Sequence, residues 1–203
     1  MKKILTILAS TILLMSAANA QVSMGISGMY LDVEVSGTQT LKTSGSKSSK
    51  THSDEAMAAE IFIENKTDSG LSLGLAIIPM SAEIGTNSVS RTDKLTSGTV
   101  TGTQKASAEF SMHTTVYALV PMGSNGFYAK LGAGFVDVES TESFKTGASY
   151  GDETLNFATI GFGVNRDLAN GTFVRAEAAF TDYEEFELKS TGSDAVSTIN
   201  GDL

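Results

Sequence analysis

The chain has 203 residues, 14 of them basic and 23 acidic, with no cysteine, no tryptophan and only two histidines. That charge balance excludes the cationic face a nucleic-acid binder needs, and the missing cysteines exclude a disulfide scaffold, a thiolate zinc site and a thiol nucleophile. Charged residues make up only 18% of the chain and hydrophobic ones 41%, with 20 glycines and abundant Ser and Thr, a mixture suited to a β-rich protein with long polar connections.

The first twenty residues, MKKILTILASTILLMSAANA, begin with Lys2 and Lys3 and contain no acid. An apolar run from Ile4 to Met15 follows, and Ala18 and Ala20 supply small side chains at the two positions a signal peptidase reads. The run is shorter than the roughly 20 residues a membrane helix requires. Residues 1–20 therefore read as a secretory signal peptide cleaved after Ala20. Residues 21–203 read as one domain.

That domain alternates with period two, the signature of strands. Val22, Met24 and Ile26 share one face of the first, opposite Ser23, Gly25 and Ser27. Met57, Ala59, Ile61 and Ile63 oppose Ala58 and Glu60. Leu71, Leu73, Leu75 and Ile77 oppose Ser72, Gly74 and Ala76. A fourth strand sets Phe110, Met112, Val116, Ala118 and Val120 against Glu109, Ser111, His113 and Thr115. A fifth sets Phe127, Ala129, Leu131, Ala133 and Phe135 against Lys130, Gly132 and Gly134. Ala158, Ile160, Phe162 and Val164 then oppose Thr159, Gly161, Gly163 and Asn165, and Val174, Ala176, Ala178 and Phe180 oppose Arg175 and Glu177. The apolar parity changes near Met29–Leu31, at Ile77–Ile78 and at Phe135–Val136, which predicts β-bulges there.

Three connections are tight turns: 65–70, 121–126 and 167–171. Between them lie long polar stretches, 36–54, 85–107, 139–153 and 188–200, expected to be loops. Short and long connections strictly alternate, as in a barrel that shuttles across a bilayer. In-strand glycines fall almost entirely on the polar face, as a narrow barrel interior demands. The expected fold is all-β, an antiparallel up-and-down transmembrane barrel with apolar side chains outward.

With its signal peptide, alternating connections and apolar-out strands, the chain resembles the small eight-stranded outer-membrane barrels: the OmpA transmembrane domain, OmpX and opacity-like porin groups. The resemblance is one of pattern and covers residues 21–203. It implies eight strands, an outer-membrane location in a Gram-negative-type envelope, a monomer embedded in lipid and lipopolysaccharide, and no cofactor. The family's last strand closes on an aromatic residue, whereas this chain reads Ile199-Asn200-Gly201-Asp202-Leu203. The eighth strand is therefore expected to be incomplete or missing, by roughly ten residues.

Strand parity places Glu60, Lys130, Arg175 and Glu177 in the lumen, the first three roughly 10–13 Å above the end with the short turns. A charge-balanced cluster follows, because buried charges must be paired. The resemblance implies that such a cluster gates a narrow ion channel; a static plug is the simpler reading. His113, Thr115 and Glu109 share the inward face and bear on a barrel enzyme acting on lipid A or phospholipid, but Thr115 is a poor nucleophile and no G-x-S-x-G is present. Asp182, Glu184, Glu185 and Glu187 read as an acidic rim without cation-loop spacing. Lysines and arginines in the first two long stretches are candidates to meet lipopolysaccharide phosphates. Phe110, Phe127, Phe135, Phe157, Phe162, Phe180 and Tyr183 read as interfacial girdle residues. No catalytic, cofactor or metal site is expected. The expected role is a surface scaffold presenting polar segments, with a narrow channel as the alternative and a secreted soluble barrel holding an apolar ligand as a further one.

Overall fold

The computed structural model describes residues 21–41, 47–79, 81–95, 98–143, 149–168, 172–189 and 196–202. Residues 1–20, including Ala18 and Ala20 of the expected cleavage site, lie outside them. The described chain is all antiparallel β, curled into a half-barrel. Its strands are β1 Gln21–Leu41, β2 Lys47–Lys66, β3 Ser72–Ile78, β4 Ala82–Leu95, β5 Gly98–Pro121, β6 Phe127–Ser143, β7 Glu153–Asp167, β8 Phe173–Tyr183, β9 Phe186–Lys189 and β10 Val196–Asp202. The sheet order is β8-β7-β6-β5-β3-β2-β1-β10-β9, with β4 also paired to β5.

Ten strands appear where eight were expected, because two paths are broken. β3 and β4 lie end to end along β5, at Ser72–Ile78 against His113–Leu119 and Ala82–Leu95 against Gly98–Phe110. Pro79, which has no N–H to give a ladder, stands at the break. β8 and β9 are likewise interrupted at Glu184-Glu185, and β8 pairs with β7 while β9 pairs with β10. The short β10 joins β9 to the far half of β1, at Ser36–Leu41. Below that level no ladder joins β1 to β8, and a cavity of about 1620 Å³ opens between them.

The long polar stretches are largely strand, which corrects the expectation of loops. β1 and β2 stay in register out to Thr40 and Lys47, and β4 and β5 out to Leu95 and Gly98. Ser and Thr explain this: directly opposed hydroxyls bond across each ribbon, Ser36 to Thr51 at 3.0 Å, Thr38 to Ser49 at 2.8 Å and Ser90 to Thr103 at 3.0 Å.

Two tiers stack along the axis. In the lower tier, next to the short turns, apolar side chains point away from the bore: Ile160, Phe162 and Val174 are 58, 65 and 56% exposed. Glu60, Glu64, Lys130 and Thr159 are buried on the other face. Higher up, both faces change character. Val136, Val138 and Leu155 are at most 3% exposed and pack inside with Ala108, Phe110, Tyr183 and Phe186. Outside them stand Asp32, Glu55, Glu139 and Asn156, all exposed.

The expected bulge at Met29–Leu31 is absent, its ladder running through without a shift; at Phe135–Val136 the β6–β7 ladder is regular, but the β5–β6 ladder does shift there, with Thr114 opposite Phe135 and Ser111 opposite Asp137. The change of parity there is chemical, since an unbroken strand passes from a polar-lined bore into an apolar one. Further shifts occur at Glu83/Gly85 and Thr40/Leu41. Phe110, Phe157 and Tyr183 turn inward, which corrects their assignment to an outer girdle; in the upper bore they bury ring area that would otherwise face water. Because Leu155 is buried in this apolar cluster, Leu155→Ala is expected to cost about 2–5 kcal/mol of unfolding free energy, read by denaturant titration of the folded protein.

Candidate functional site

Charged residues meet in the lower bore because each occupies an inward position on a strand whose outward neighbours are apolar. Glu64 comes from β2, Tyr117 from β5, Tyr128 and Lys130 from β6, and Arg175 and Glu177 from β8. Arg175 grips Glu64 with both guanidinium ends, Nη1 to Oε1 at 2.6 Å and Nη2 to Oε2 at 2.8 Å. The Tyr117 hydroxyl donates to the same Oε1 at 2.6 Å. Lys130 Nζ donates to Glu177 Oε1 at 2.6 Å, and the Tyr128 hydroxyl to Oε2 at 2.7 Å. Planar bidentate pairing of this kind is the strongest form of side-chain ion pair.

Aromatic faces complete the enclosure. Lys130 lies 4.7 Å from the Tyr117 ring centroid, and Arg175 is 5.2 Å from Phe62, 5.2 Å from Phe173 and 5.4 Å from Tyr128. The rings replace water around the cations with their negative faces. Arg175 reaches from β8, at one end of the curled sheet, to Glu64 on β2 near the other. It therefore acts as a crossbar where no ladder joins the two ends.

Glycines make room for the rings. A Cβ at Gly74 would strike the Tyr117 ring, and one at Gly134 would strike the Thr114 carbonyl and the Phe157 ring. Gly74→Ala is expected to displace the Tyr117 hydroxyl from Glu64 and cost about 1–3 kcal/mol. Gly134→Ala is expected to cost at least as much, since a backbone carbonyl yields less readily than a ring. Equilibrium unfolding of both variants checks this.

The four residues expected to cluster are only partly joined as expected. Lys130 and Glu177 form one pair. Arg175 is in the layer, but its partner is Glu64. Glu60 is buried and lines the same cavity. Glu64, Tyr117 and Tyr128 were missed, although parity was enough to find them: Glu64 lies four residues beyond Glu60 on the same face of β2. Alternation in the sequence carries that strand to Ile63 and the turn signal begins at Asn65, leaving Glu64 in neither, whereas β2 continues to Lys66.

Above the ion layer, His113 stacks on Phe157 at 4.3 Å between centroids and its Nε2 lies 3.1 Å from the Tyr183 hydroxyl. Glu109, expected beside it, is on the other face. The shift between Ser111 and Thr114 inserts an extra residue, so Glu109 stands opposite Glu139, and Ser111 donates to Glu139 at 2.9 Å. His113, Thr115 and Glu109 thus do not assemble as one set.

The acidic rim is present at the β8–β9 break. Glu184 accepts from Asn156 Nδ2 at 2.8 Å, and Lys189 pairs with Glu187 at 2.9 Å, a contact that raises the lysine above its ordinary range. Asp182 and Glu185 are exposed. Among the described residues no three His, Asp or Glu side chains come together as a metal site. No family model, curated protein or solved structure matches this chain.

Proposed function

We propose that this chain is an exported outer-membrane β-barrel protein that works as a rigid scaffold for hairpins standing above the lipid. One observation carries the reading: the polarity of both sheet faces reverses at a common level. Apolar side chains face out from Phe127 to Phe135 on β6 and from Val22 to Tyr30 on β1. At about 3.3 Å per residue and a tilt near 40°, that belt is roughly 20 Å tall, close to the apolar band of known membrane barrels. A soluble barrel would bury those side chains, and the exposed Met24, Ile26, Ile160 and Phe162 would form an apolar patch far larger than water-facing proteins carry.

The ion layer crosses the lower bore and the aromatic cluster fills part of the upper one, beside the cavity between β1 and β8. Both support a plug over an open channel. The separation of Glu109 from His113 supports a non-enzymatic role. No helix among the described residues is long and apolar enough to cross a membrane. Fractionation is the test. Resistance to carbonate washing, release by detergent and a heat-dependent shift on electrophoresis are expected. Recovery from the aqueous periplasmic fraction would replace this reading with the exported soluble barrel.

A further inference from the structure

We infer that the gap between β1 and β8 seats one extended strand of a separate polypeptide, with small side chains toward the bore and a lysine or arginine at the level of Ser27. The inference rests on the reading that this part of the sheet lies in lipid. It begins with two free edges. Among the described residues β8 is bonded to β7 alone, and β1, from Gln21 to Val35, to β2 alone. Hydrocarbon offers a row of unpaired backbone N–H and C=O groups no partner. A small ligand would satisfy only one or two of them, whereas an extended peptide presents donors and acceptors at the spacing of the strand itself.

The rest of the sheet fixes the direction of that strand. Six successive antiparallel pairings lead from β1 to β8, so the two free edges run the same way. A strand between them is antiparallel to both. Just above, β10 already holds this place, antiparallel to β1 at Ser36–Leu41 and to β9 at Phe186–Lys189. Because β9 follows β8 across the Glu184-Glu185 break, one strand spans the interval at that level, and a strand in the same line enters the gap below. A second copy of this chain does not suit the gap. Copies inserted in the same sense offer edges that run the same way, which leaves only parallel pairing, the less stable kind.

Neighbouring side chains set what the occupant carries. Directly opposed residues of an antiparallel pair point to the same side. Opposite Val22, Met24 and Ile26, all exposed, the occupant meets lipid and must be apolar. Opposite Ser23, Gly25 and Ser27 it faces the bore, where a Cβ on Gly25 would already strike the Phe62 ring, so small side chains fit. Charge asks for one exception. Asp32, Glu34, Glu60, Glu177 and Asp182 line the cavity against Lys130 and Arg175. Lys130 is held by Glu177 and Arg175 by Glu64, while Asp32, Glu34 and Asp182 are exposed. Glu60 is left over: only 9% exposed, it lines the cavity, and no hydrogen bond or ion pair reaches it among the described side chains. A buried charge needs a partner. Glu60 stands opposite Ser27 in the β1–β2 ladder, two strand spacings, about 10 Å, from the backbone of the occupant. A long basic side chain passing over the small Ser27 closes that distance.

The test uses the full chain folded in detergent and a labelled synthetic peptide of about fifteen residues, one for each β1 position from Val35 down to Gln21. Through the belt the peptide has apolar residues outward and serine or glycine inward, with one lysine opposite Ser27. Binding is expected. A peptide with glutamine in place of that lysine is expected to bind the parent about tenfold more weakly or worse, and Glu60→Gln is expected to bind the two peptides alike. Methylating alternate peptide nitrogens, which removes the N–H groups facing one edge, is expected to abolish binding. The chain has no cysteine, so S23C is expected to form a disulfide with a peptide cysteine placed opposite it and not with one two residues away. Absent binding, a lysine preference that persists in Glu60→Gln, tight binding of the methylated peptide or cross-linking without register would each overturn the inference. So would decylammonium binding as tightly as the peptide, which gives the seat to a small amine, or S23C dimers formed without peptide, which give it to a second copy. The heat-dependent gel shift is followed on every sample. If Glu60→Gln loses it, the two peptides on the parent and the cross-link decide. Its loss in the parent would mark failure of the barrel reading, while its persistence without peptide binding would mark failure of this one alone.

Discussion

Arg175→Ala is expected to loosen the lower end of the curled sheet and to cost about 3–5 kcal/mol of unfolding free energy, the loss that follows when one member of a buried pair is removed. Glu64, only 4% exposed, would be left with the Tyr117 hydroxyl as its remaining donor among the described side chains. A buried carboxylate so depleted either loses its charge or draws in water. Glu64→Ala is expected to cost a similar amount, stranding the guanidinium among Phe62, Tyr128 and Phe173. The double variant is expected to cost less than the sum of the two, because neither charge is then left alone. Arg175→Lys should recover only part of the loss, since an ammonium cannot grip both carboxylate oxygens in one plane. Urea titration in lipid vesicles measures all four. Single-channel recording of the same proteins decides the alternative role: a gate predicts higher conductance in Arg175→Ala than in the parent, and unchanged conductance retires the channel reading.

A charge placed in the belt is the second large effect. Ile160→Arg is expected to cost about 2–4 kcal/mol in lipid, the price of a cation near the middle of the apolar band. Asn156→Arg, two outward positions higher and already exposed, is expected to be near neutral. The pair separates a lipid-facing surface from a water-facing one, because in a soluble barrel both arginines would sit in solvent and cost little. Equal, small losses at the two positions would remove the membrane from the account. Ile160 stands opposite Phe180 on β8 and Leu131 on β6, so the arginine would have apolar neighbours on both sides.

Most of the lower tier was legible in the sequence. A strand repeats every two residues, so Ser23, Gly25 and Ser27 must share a face opposite Val22, Met24 and Ile26 wherever the strand lies. The same arithmetic put Lys130 and Arg175 in the bore. It could not name their partners. Whether Arg175 meets Glu60 or Glu64 depends on the stagger between β2 and β8, two strands that share no ladder, and stagger is a property of the closed curl. Glu109 shows the other limit. Its parity relative to His113 looked settled, but one extra residue between Ser111 and Thr114 reverses it, and local sequence does not mark that residue plainly.

The upper tier was misread for a related reason. Val136, Leu155, Phe157 and Tyr183 are apolar residues on a face that was polar lower down, and a single expectation of apolar-outward side chains sent the two aromatic ones to the wrong side. The sequence by itself determined that the chain is a run of alternating strands with short and long connections, because alternation and turn residues act over a few neighbours. Only the tertiary structure decided which charges pair, where the bore turns dry and how far the hairpins extend. Those depend on the relative heights of strands distant in the chain, and those heights are set when the whole sheet curls.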